Sequence, residues 1–515
     1  MQQKLPLSYA DFRTLRQDNY KYVDKTEFIY KIAEGRQMYF LSRPRRFGKS
    51  MTISTLAELY KGSKELFEGL WIADKWDWTR RNPVIQISFK GLNFVDSGLE
   101  KVLSAELLKI ANENGVVVKE IFSRDIFREL LTELGKTAKV VVLIDEYDAP
   151  MMHYLSVDTP LALKNREILK EFYTTLKEND RLVEMVFITG VSKFAKVGIF
   201  SGLNNFVDLS MHREFATMLG YTQEELETNF DAYLIEIAEE MKCTKAELLD
   251  KMRFWYNGYK FEEDAKSVYN PISTNSFIAQ RKFKNFWFET GTPTYLLNYL
   301  RENPLYHFSA EATPEEAFSS FEIEYINTYG LLYQTGYLTI KGIDELGFYI
   351  LDYPNYEVKK SMTGYLLDIF SGLKRTEGIV FAGNMERAFA KNDIPKVISI
   401  LQTLFKSLPY QLYINQNEAF YHAIVFLFFT YIGIIVQSEV CISDGRCDAI
   451  VQTKTHIYIL EFKLDQSPEA AFAQIIDKDY AQAQLNRDKP VIGIGVNFSS
   501  ETKNLTGYFM DELVA

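Results

Sequence analysis

Met38-Tyr39-Phe40-Leu41-Ser42-Arg43-Pro44-Arg45-Arg46-Phe47-Gly48-Lys49-Ser50 is the stretch on which the fold of this chain turns. Four apolar residues of strand character run into a basic loop, and a helix can start at Lys49 and continue through Leu56. A loop in that position curls its backbone N–H groups around phosphates, and the helix N-terminus adds its positive end. Lysine then reaches the outer phosphates while serine ligates magnesium. Lys49 and Ser50 are the residues for those two tasks, and Gly48 belongs to the same set. Arg45 and Arg46 either stabilise phosphate charge or form a solvated basic turn. Arg43 stands where the first glycine of G-x-x-x-x-G-K-[ST] belongs, a departure that weakens the motif when it is taken alone.

Downstream, Val140-Val141-Val142-Leu143-Ile144 leads to Asp145-Glu146, an apolar strand that ends in two carboxylates. A buried strand of this kind delivers Asp145 to the magnesium shell, and Glu146 is placed to polarise an attacking water. A third apolar strand, Val186-Phe187-Ile188, puts Thr189 at its C-terminal end, the edge of an open α/β sheet at which ligands bind. A chance turn followed by an ordinary strand exit would explain each motif separately. Their order, each after an apolar strand, favours a nucleotide site made of Arg45, Arg46, Gly48, Lys49, Ser50, Asp145 and Thr189. In that site Ser50 and Asp145 hold the metal, and Asp148 is an ordinary loop carboxylate.

The remainder of the chain frames these motifs. Its 515 residues are more than one core needs, so several domains are expected, and 47% hydrophobic content with 38 Phe and 32 Tyr argues for ordered globular structure. Residues 1–210 alternate strand-like and helical stretches as a parallel α/β sheet does, 211–400 form a helical, aromatic connector or lid, and 401–515 read as helix, three strands, helix, strand. Three cysteines, Cys243, Cys441 and Cys447, make neither a disulfide framework nor a metal-ligand spacing, and the N-terminus lacks an apolar signal region; a reducing cytoplasm fits. Ala423 to Val436 is uncharged but too short to span a bilayer, so no membrane partner is expected. The net charge of −11 excludes a global attraction to nucleic acid and leaves only local contacts.

Three segments, Tyr22-Val23-Asp24-Lys25-Thr26, Arg43 to Ser50 and Leu143-Ile144-Asp145-Glu146-Tyr147-Asp148, resemble the AAA-ATPase-like family of bacteria. Trp255-Tyr256-Asn257-Gly258-Tyr259 and Tyr269-Asn270-Pro271 are similar to further marks of that family. The resemblance covers roughly residues 5–300 and makes Arg43 a signature, since an arginine-rich loop is usual there. It implies a P-loop NTPase fold of the ASCE or AAA-like type, with ATP and Mg2+ as cofactors. Members typically carry a C-terminal domain of the PD-(D/E)XK nuclease superfamily, an α/β restriction-endonuclease-like fold. By that resemblance Asp448 is the motif's first acid, Glu461 and Lys463 are its E-x-K, Gln474 is the glutamine of the next helix, and Glu418 loosely matches a first-helix glutamate.

Elementary geometry supports the match in the tail. Residues i and i+2 of a strand share a face, so Glu461 and Lys463 stand together with Phe462 opposite. Asp448 lies on the preceding strand, and two carboxylates on adjacent strands can hold magnesium while the lysine activates water and stabilises charge at phosphorus. A salt-bridge cluster that only stabilises the sheet is the bland alternative. From 401 to 515 there are 8 Lys and Arg against 13 Asp and Glu, a balance of −5, which speaks against robust binding of long duplexes by the tail alone. His422 and His456 lack metal-site spacing. In the connector, Arg213, Arg253, Tyr259 and Asn270 have no spacing that marks a nucleotide sensor, and Trp255 and Trp287 are expected as core anchors. The expected function is an ATP-binding protein coupled to a Mg-dependent nuclease acting on DNA or RNA, with self-association left open. The alternative is a nucleotide switch whose nuclease-like tail is inactive and binds a partner.

Overall fold

Every residue of the strand Val140–Asp145 is buried, as a run of Val, Leu and Ile covered on both faces requires. In the computed structural model it lies inside a five-stranded sheet of β1 (Met38–Ser42), β2 (Val84–Ser88), β3 (Val140–Asp145), β4 (Val183–Gly190) and β5 (Phe206–Asp208). The order is β2-β3-β4-β1-β5 and all pairings are parallel. One strand, β4, thus separates the strand that enters the basic loop from the strand that carries Asp145. The register pairs Leu41 with Thr189, and Ile144 with Ile188, so the ends of β1, β3 and β4 lie along one edge of the sheet. The edge strand β5 is short and half-buried, which is why it gave no apolar run in the sequence.

Residues 3–7, 9–155, 157–193, 206–287, 296, 299–300, 311–318, 326–371, 375–407, 424–425, 427–429, 435–442, 445–453, 455–478 and 489–513 are described. They fall into two compact units, 1–303 with 308–358 and 304–307 with 359–515, and the division at Val358/Lys359 lies inside the 211–400 stretch. Among the described residues no helix is long and apolar enough to cross a membrane.

Apart from single turns, the helices of the sheet domain are α1 (Phe12–Gln17), α2 (Thr26–Gly35), α3 (Lys49–Lys61), α4 (Leu99–Glu113), α5 (Ser123–Leu134) and α6 (Thr159–Glu178). Helix α3 starts on Gly48 at φ 106° and is buried along most of its length, which fixes the axis on which the basic loop is mounted. Beyond the sheet, α7 (Gln223–Met241) and α8 (Lys245–Tyr256) each open with a Thr-x-x-Glu capping box, at Thr222/Glu225 and Thr244/Glu247. Helix α9 (Pro271–Gln280) is capped by Asn270, whose Oδ1 accepts from the N–H groups of Ile272 and Ser273. Leu226, Phe230, Leu234, Met252, Tyr256 and Phe277 bind these helices into one core, each contributing about 1.5–3 kcal/mol when buried. A short helix, α10 (Thr328–Thr335), follows. The unit also contains a small antiparallel sheet, β6 (Glu311–Thr313), β7 (Thr339–Ile343) and β8 (Tyr349–Asp352), in the order β6-β8-β7. It was not anticipated, because strands of three to five residues bearing Lys341, Gly342 and Asp352 carry little periodicity.

The second unit takes up α11 (Tyr356–Ser371) from Lys359 onward, α12 (Arg375–Ala390), α13 (Ile394–Ser407) and α14 (Pro468–Asp477). Its mixed sheet contains β9 (Ile435–Ile442), β10 (Gly445–Gln452), β11 (Ile457–Leu464), β12 (Val491–Ser499) and β13 (Asn504–Leu513), in the order β13-β12-β11-β10-β9. Strand β11 is antiparallel to β10 and parallel to β12, with α14 in the crossover. The expected three strands, helix and strand recur here, with one addition, while the helix expected before them falls largely on residues outside the described ones. Strand β13 is mostly exposed at the sheet edge, so it lacks the apolar run that reveals a buried strand. Glu418 and His422 lie outside the described residues.

Candidate functional site

The basic loop is wound by two residues in the left-handed region, Arg46 at φ 68° and Gly48 at φ 106°, a backbone course that turns N–H groups inward as an anion nest does. Lys49 is buried at the start of α3, and its ammonium donates to the carbonyls of Arg43 at 2.7 Å and Pro44 at 2.9 Å. Burial pushes its pKa down to about 8, against the pull of Glu146 and Asp145. Ser50 Oγ donates to Asp145 Oδ2 at 2.5 Å, and Thr189 Oγ1 donates to Asp145 Oδ1 at 2.5 Å. The loop, β3 and β4 therefore converge on one carboxylate. Glu146, the next residue, sits at φ 51°, a strained conformation for a non-glycine, with Lys90 Nζ 3.5 Å from its carboxylate. Nothing in the sequence pattern had singled out Lys90.

Arg45, Arg46, Gly48, Lys49, Ser50, Asp145 and Glu146 all line one cavity of about 310 Å³. Thr189 lies behind it, acting on Asp145. The oxygens of Ser50 and Asp145 form the kind of hard donor pair that suits magnesium, and the loop, Lys49 and the two arginines suit a polyphosphate.

Arg43 explains its own presence in a glycine's place. Its backbone is not at positive φ, so no glycine is needed there. The guanidinium, 1% exposed, donates to the carbonyls of Ser42 at 3.0 Å, Ser210 and Phe215 at 3.4 Å, and lies over the Phe261 ring at 4.1 Å. It pins the base of the loop to the segment after β5. Phe47 is wedged edge-on against Tyr259 at 4.8 Å, and Gly258, at φ 112°, lets that turn pass Pro354, whose carbonyl a Cβ would meet at 2.0 Å. Trp287 Nε1 donates to the Arg45 carbonyl at 3.0 Å. Thus Tyr259, Trp287 and Phe261 support the loop from the connector, while Arg253 pairs with Asp250 and Asn270 caps α9. Asp148 accepts from the N–H groups of Val191 and Ser192 and from Ser192 Oγ; it is buried, its pKa raised by that burial, and clamps the turn after β4.

In the second unit the antiparallel register that pairs Ala449 with Leu460 sets Asp448 opposite Glu461. The backbone N–H of Asp448 donates to Glu461 Oε2 at 3.4 Å, and that of Phe462 to Asp448 Oδ2 at 2.8 Å. Lys463 Nζ stands 3.5 Å from Glu461 Oε1, which also accepts from Gln474 Nε2 on α14. Glu461 is 1% exposed; burial first, and then the Asp448 charge, push its pKa up to about 8, with Lys463 opposing. Asp448, Glu461, Lys463 and Gln474 are thus one cluster, and its two facing carboxylates suit a divalent cation. Among the described residues no group of three or more His, Cys, Asp or Glu side chains is arranged to hold a metal, so a cation here would complete its shell with other oxygens.

A nucleotide-type edge on a parallel sheet and a carboxylate-lysine cluster on a mixed one define a P-loop protein with a nuclease-like second unit. Comparison with known families agrees: residues 6–200 match the model of a predicted AAA-ATPase, and residues 416–507 match the PD-(D/E)XK nuclease superfamily. An uncharacterized protein in the vnfD 5' region of Azotobacter chroococcum mcd 1 is 36% identical over 530 residues, covering 99% of each chain. The chain belongs to this family of predicted AAA-ATPases that carry a C-terminal PD-(D/E)XK domain.

Proposed function

We propose that this protein is an ATP-dependent nuclease, with MgATP held by the first unit and Mg-dependent phosphodiester cleavage carried out by the second. The observation that carries this reading is the occurrence, in one chain, of the Ser50–Asp145–Thr189 set beside Lys49 and of the Asp448–Glu461–Lys463–Gln474 cluster. Magnesium in such sites supplies charge neutralisation and a more acidic bound water. In the first unit Lys49 exchanges its two carbonyl partners for phosphate oxygens, Ser50 and Asp145 hold the metal, Thr189 fixes Asp145, and Glu146 polarises the attacking water. Arg45 and Arg46 neutralise phosphate charge from the cavity wall.

In the second unit Asp448 and Glu461 hold the cation, and Lys463 orients water and stabilises the negative charge that develops at phosphorus. Gln474 keeps Glu461 turned toward that position. The substrate is DNA or RNA presented as something other than a long duplex, in keeping with the balance of −5 over residues 401–515. One observation favours a second reading, a nucleotide switch with an inactive tail: burial holds Glu461 toward its protonated, non-ligating form.

Calorimetric titration of Mn2+ into the full chain separates the two. The nuclease reading requires a binding event that Asp448→Ala removes and Lys49→Ala leaves intact. Absence of any event sensitive to Asp448→Ala contradicts it.

A further inference from the structure

Glu146, the group that polarises water in the proposed hydrolysis, is already paired. Its Oε1 lies 3.5 Å from Lys90 Nζ, and among the described residues neither side chain has another ion-pair partner. Lys90 reaches it from the neighbouring strand. The β2–β3 register sets Ser88 opposite Asp145, and the single turn Phe89–Gly91 follows at once. That turn is anchored by the buried Phe89 ring and closed by the Leu92 N–H, which donates to the Phe89 carbonyl at 3.2 Å. Lys90 lines the same cavity as Lys49, Ser50, Asp145 and Glu146. Because Ser50 Oγ donates to Asp145 Oδ2 beside Glu146, Lys90 stands at the end of the cavity to which the proposed function assigns the metal and the outer phosphates. Arg45, Arg46 and Lys49 belong to the basic loop and the start of α3, whereas Lys90 brings a cation from the opposite side of Asp145, at the end of β2.

A carboxylate that faces an ammonium pulls less strongly on a water proton, so Glu146 acts fully only once that cation moves off it. The Lys90 side chain is 63% exposed, and an ion pair so open to water is held weakly. A terminal phosphate carries more charge than one carboxylate and offers several acceptor oxygens, so it out-competes Glu146 for the ammonium. We infer that Lys90 is a catalytic residue of the first unit: its ammonium passes from Glu146 to the terminal phosphate of the bound nucleotide, neutralising that phosphate and releasing Glu146 toward water in one exchange. The inference rests on the nucleotide-hydrolysing role proposed above and adds the residue that senses the terminal phosphate. In the hydrolytic step the water oxygen bonds to the terminal phosphorus, and the bond from that phosphorus to the bridging oxygen breaks, its electron pair leaving with the diphosphate. The water's proton goes to the Glu146 carboxylate, and Lys90 exchanges no proton while it stabilises the charge. With a diphosphate bound there is no terminal phosphate to draw Lys90 away, and Glu146 stays paired.

The test is calorimetric binding of ADP and of the non-hydrolysable ATP analogue AMP-PNP, each with Mg2+, to the full chain, together with steady-state ATP turnover. The proteins are wild type, Lys90→Met, Lys90→Arg, Glu146→Gln and the Lys90→Met/Glu146→Gln double variant. Lys90→Met is expected to weaken AMP-PNP about 10-fold, to leave ADP within about twofold, and to lower kcat at least about 100-fold. Lys90→Arg keeps the charge and is expected to hold AMP-PNP within about threefold of wild type. Glu146→Gln, which releases the ammonium, is expected to tighten AMP-PNP about threefold or more when Lys90 is present and to change nothing in the Lys90→Met background. ADP binding by each variant shows that it is folded. An AMP-PNP affinity unchanged in Lys90→Met, or lost in parallel with that for ADP, overturns the role of Lys90 and leaves the nucleotide-binding role standing. Tightening by Glu146→Gln that persists without Lys90 overturns the exchange between the two partners. No binding of either nucleotide by wild type overturns both the inference and the reading it rests on.

Discussion

The two candidate sites invert each other. In the first, a buried cation, Lys49, is held by the carbonyls of its own loop and its pKa is lowered to about 8. In the second, a buried carboxylate, Glu461, faces Asp448 and its pKa is raised to about 8. Burial disfavours the charged form in both cases, and under the proposed function each group would meet a ligand of opposite charge, an anionic phosphate for Lys49 and a metal cation for Glu461. They differ in preparation. Lys49 has two carbonyls to satisfy it and sits in a loop braced by Arg43, Phe261 and Trp287. Among the described residues Glu461 has one cation, Lys463, at 3.5 Å, and a second carboxylate on the adjacent strand.

The largest effect is expected at Lys49. Lys49→Met is expected to weaken MgATP binding about 100-fold or more, because a desolvated cation making charge-assisted hydrogen bonds to phosphate is removed. In wild type the affinity should also fall about three- to tenfold between pH 7 and pH 9, as Lys49 loses its proton above its pKa of about 8. Binding near pH 8.5 should then take up a proton, seen as a heat that depends on the buffer's ionisation enthalpy. A flat affinity across that range would mean that Lys49 is not the group exchanged for phosphate.

A smaller effect is expected at Glu461 and has the opposite sign. Its folded pKa lies above the ordinary carboxylate value of 4.5, so between pH 4.5 and about 8 the folded state retains a proton that the unfolded chain has released. Stability of the second unit should therefore fall as pH rises through that window in metal-free buffer. Glu461→Gln, which copies the protonated form, should remove the slope and raise stability at pH 8 by on the order of 1 kcal/mol. Thermal unfolding with a chelator at pH 6 and pH 8 checks this, and unchanged stability at pH 8 would show that Lys463 already compensates the carboxylate.

Much of this was legible because it rests on local patterns. The runs Met38 to Leu41, Val140 to Ile144 and Val186 to Ile188 are apolar over their whole length, and each is a strand at its expected place. The spacing of Glu461 and Lys463 needed only the strand period, and Asp448 needed only a hairpin. What escaped was either half-exposed or made from afar. Strands β5 and β13 sit at sheet edges with mixed polarity, and the small sheet is too short for any period to show. Lys90 and the bracing of the loop by Phe261 and Trp287 depend on contacts across dozens to hundreds of positions, which no spacing rule encodes. Arg43 looked like a defect in a glycine motif, and its reason appeared only with the carbonyls of Ser210 and Phe215 around it.

If ATP in the first unit governs cleavage by the second, as proposed, the rate of nucleic-acid cleavage must depend on ATP. Single- and double-stranded DNA and RNA should be offered with Mg2+ to wild type, Lys49→Ala and Lys463→Ala. Wild type is expected to cleave at least one substrate at a rate that ATP changes severalfold, Lys49→Ala to show no response to ATP, and Lys463→Ala to cleave nothing. ATP turnover by wild type with no cleavage of any substrate, or cleavage by Lys463→Ala equal to wild type, would contradict it.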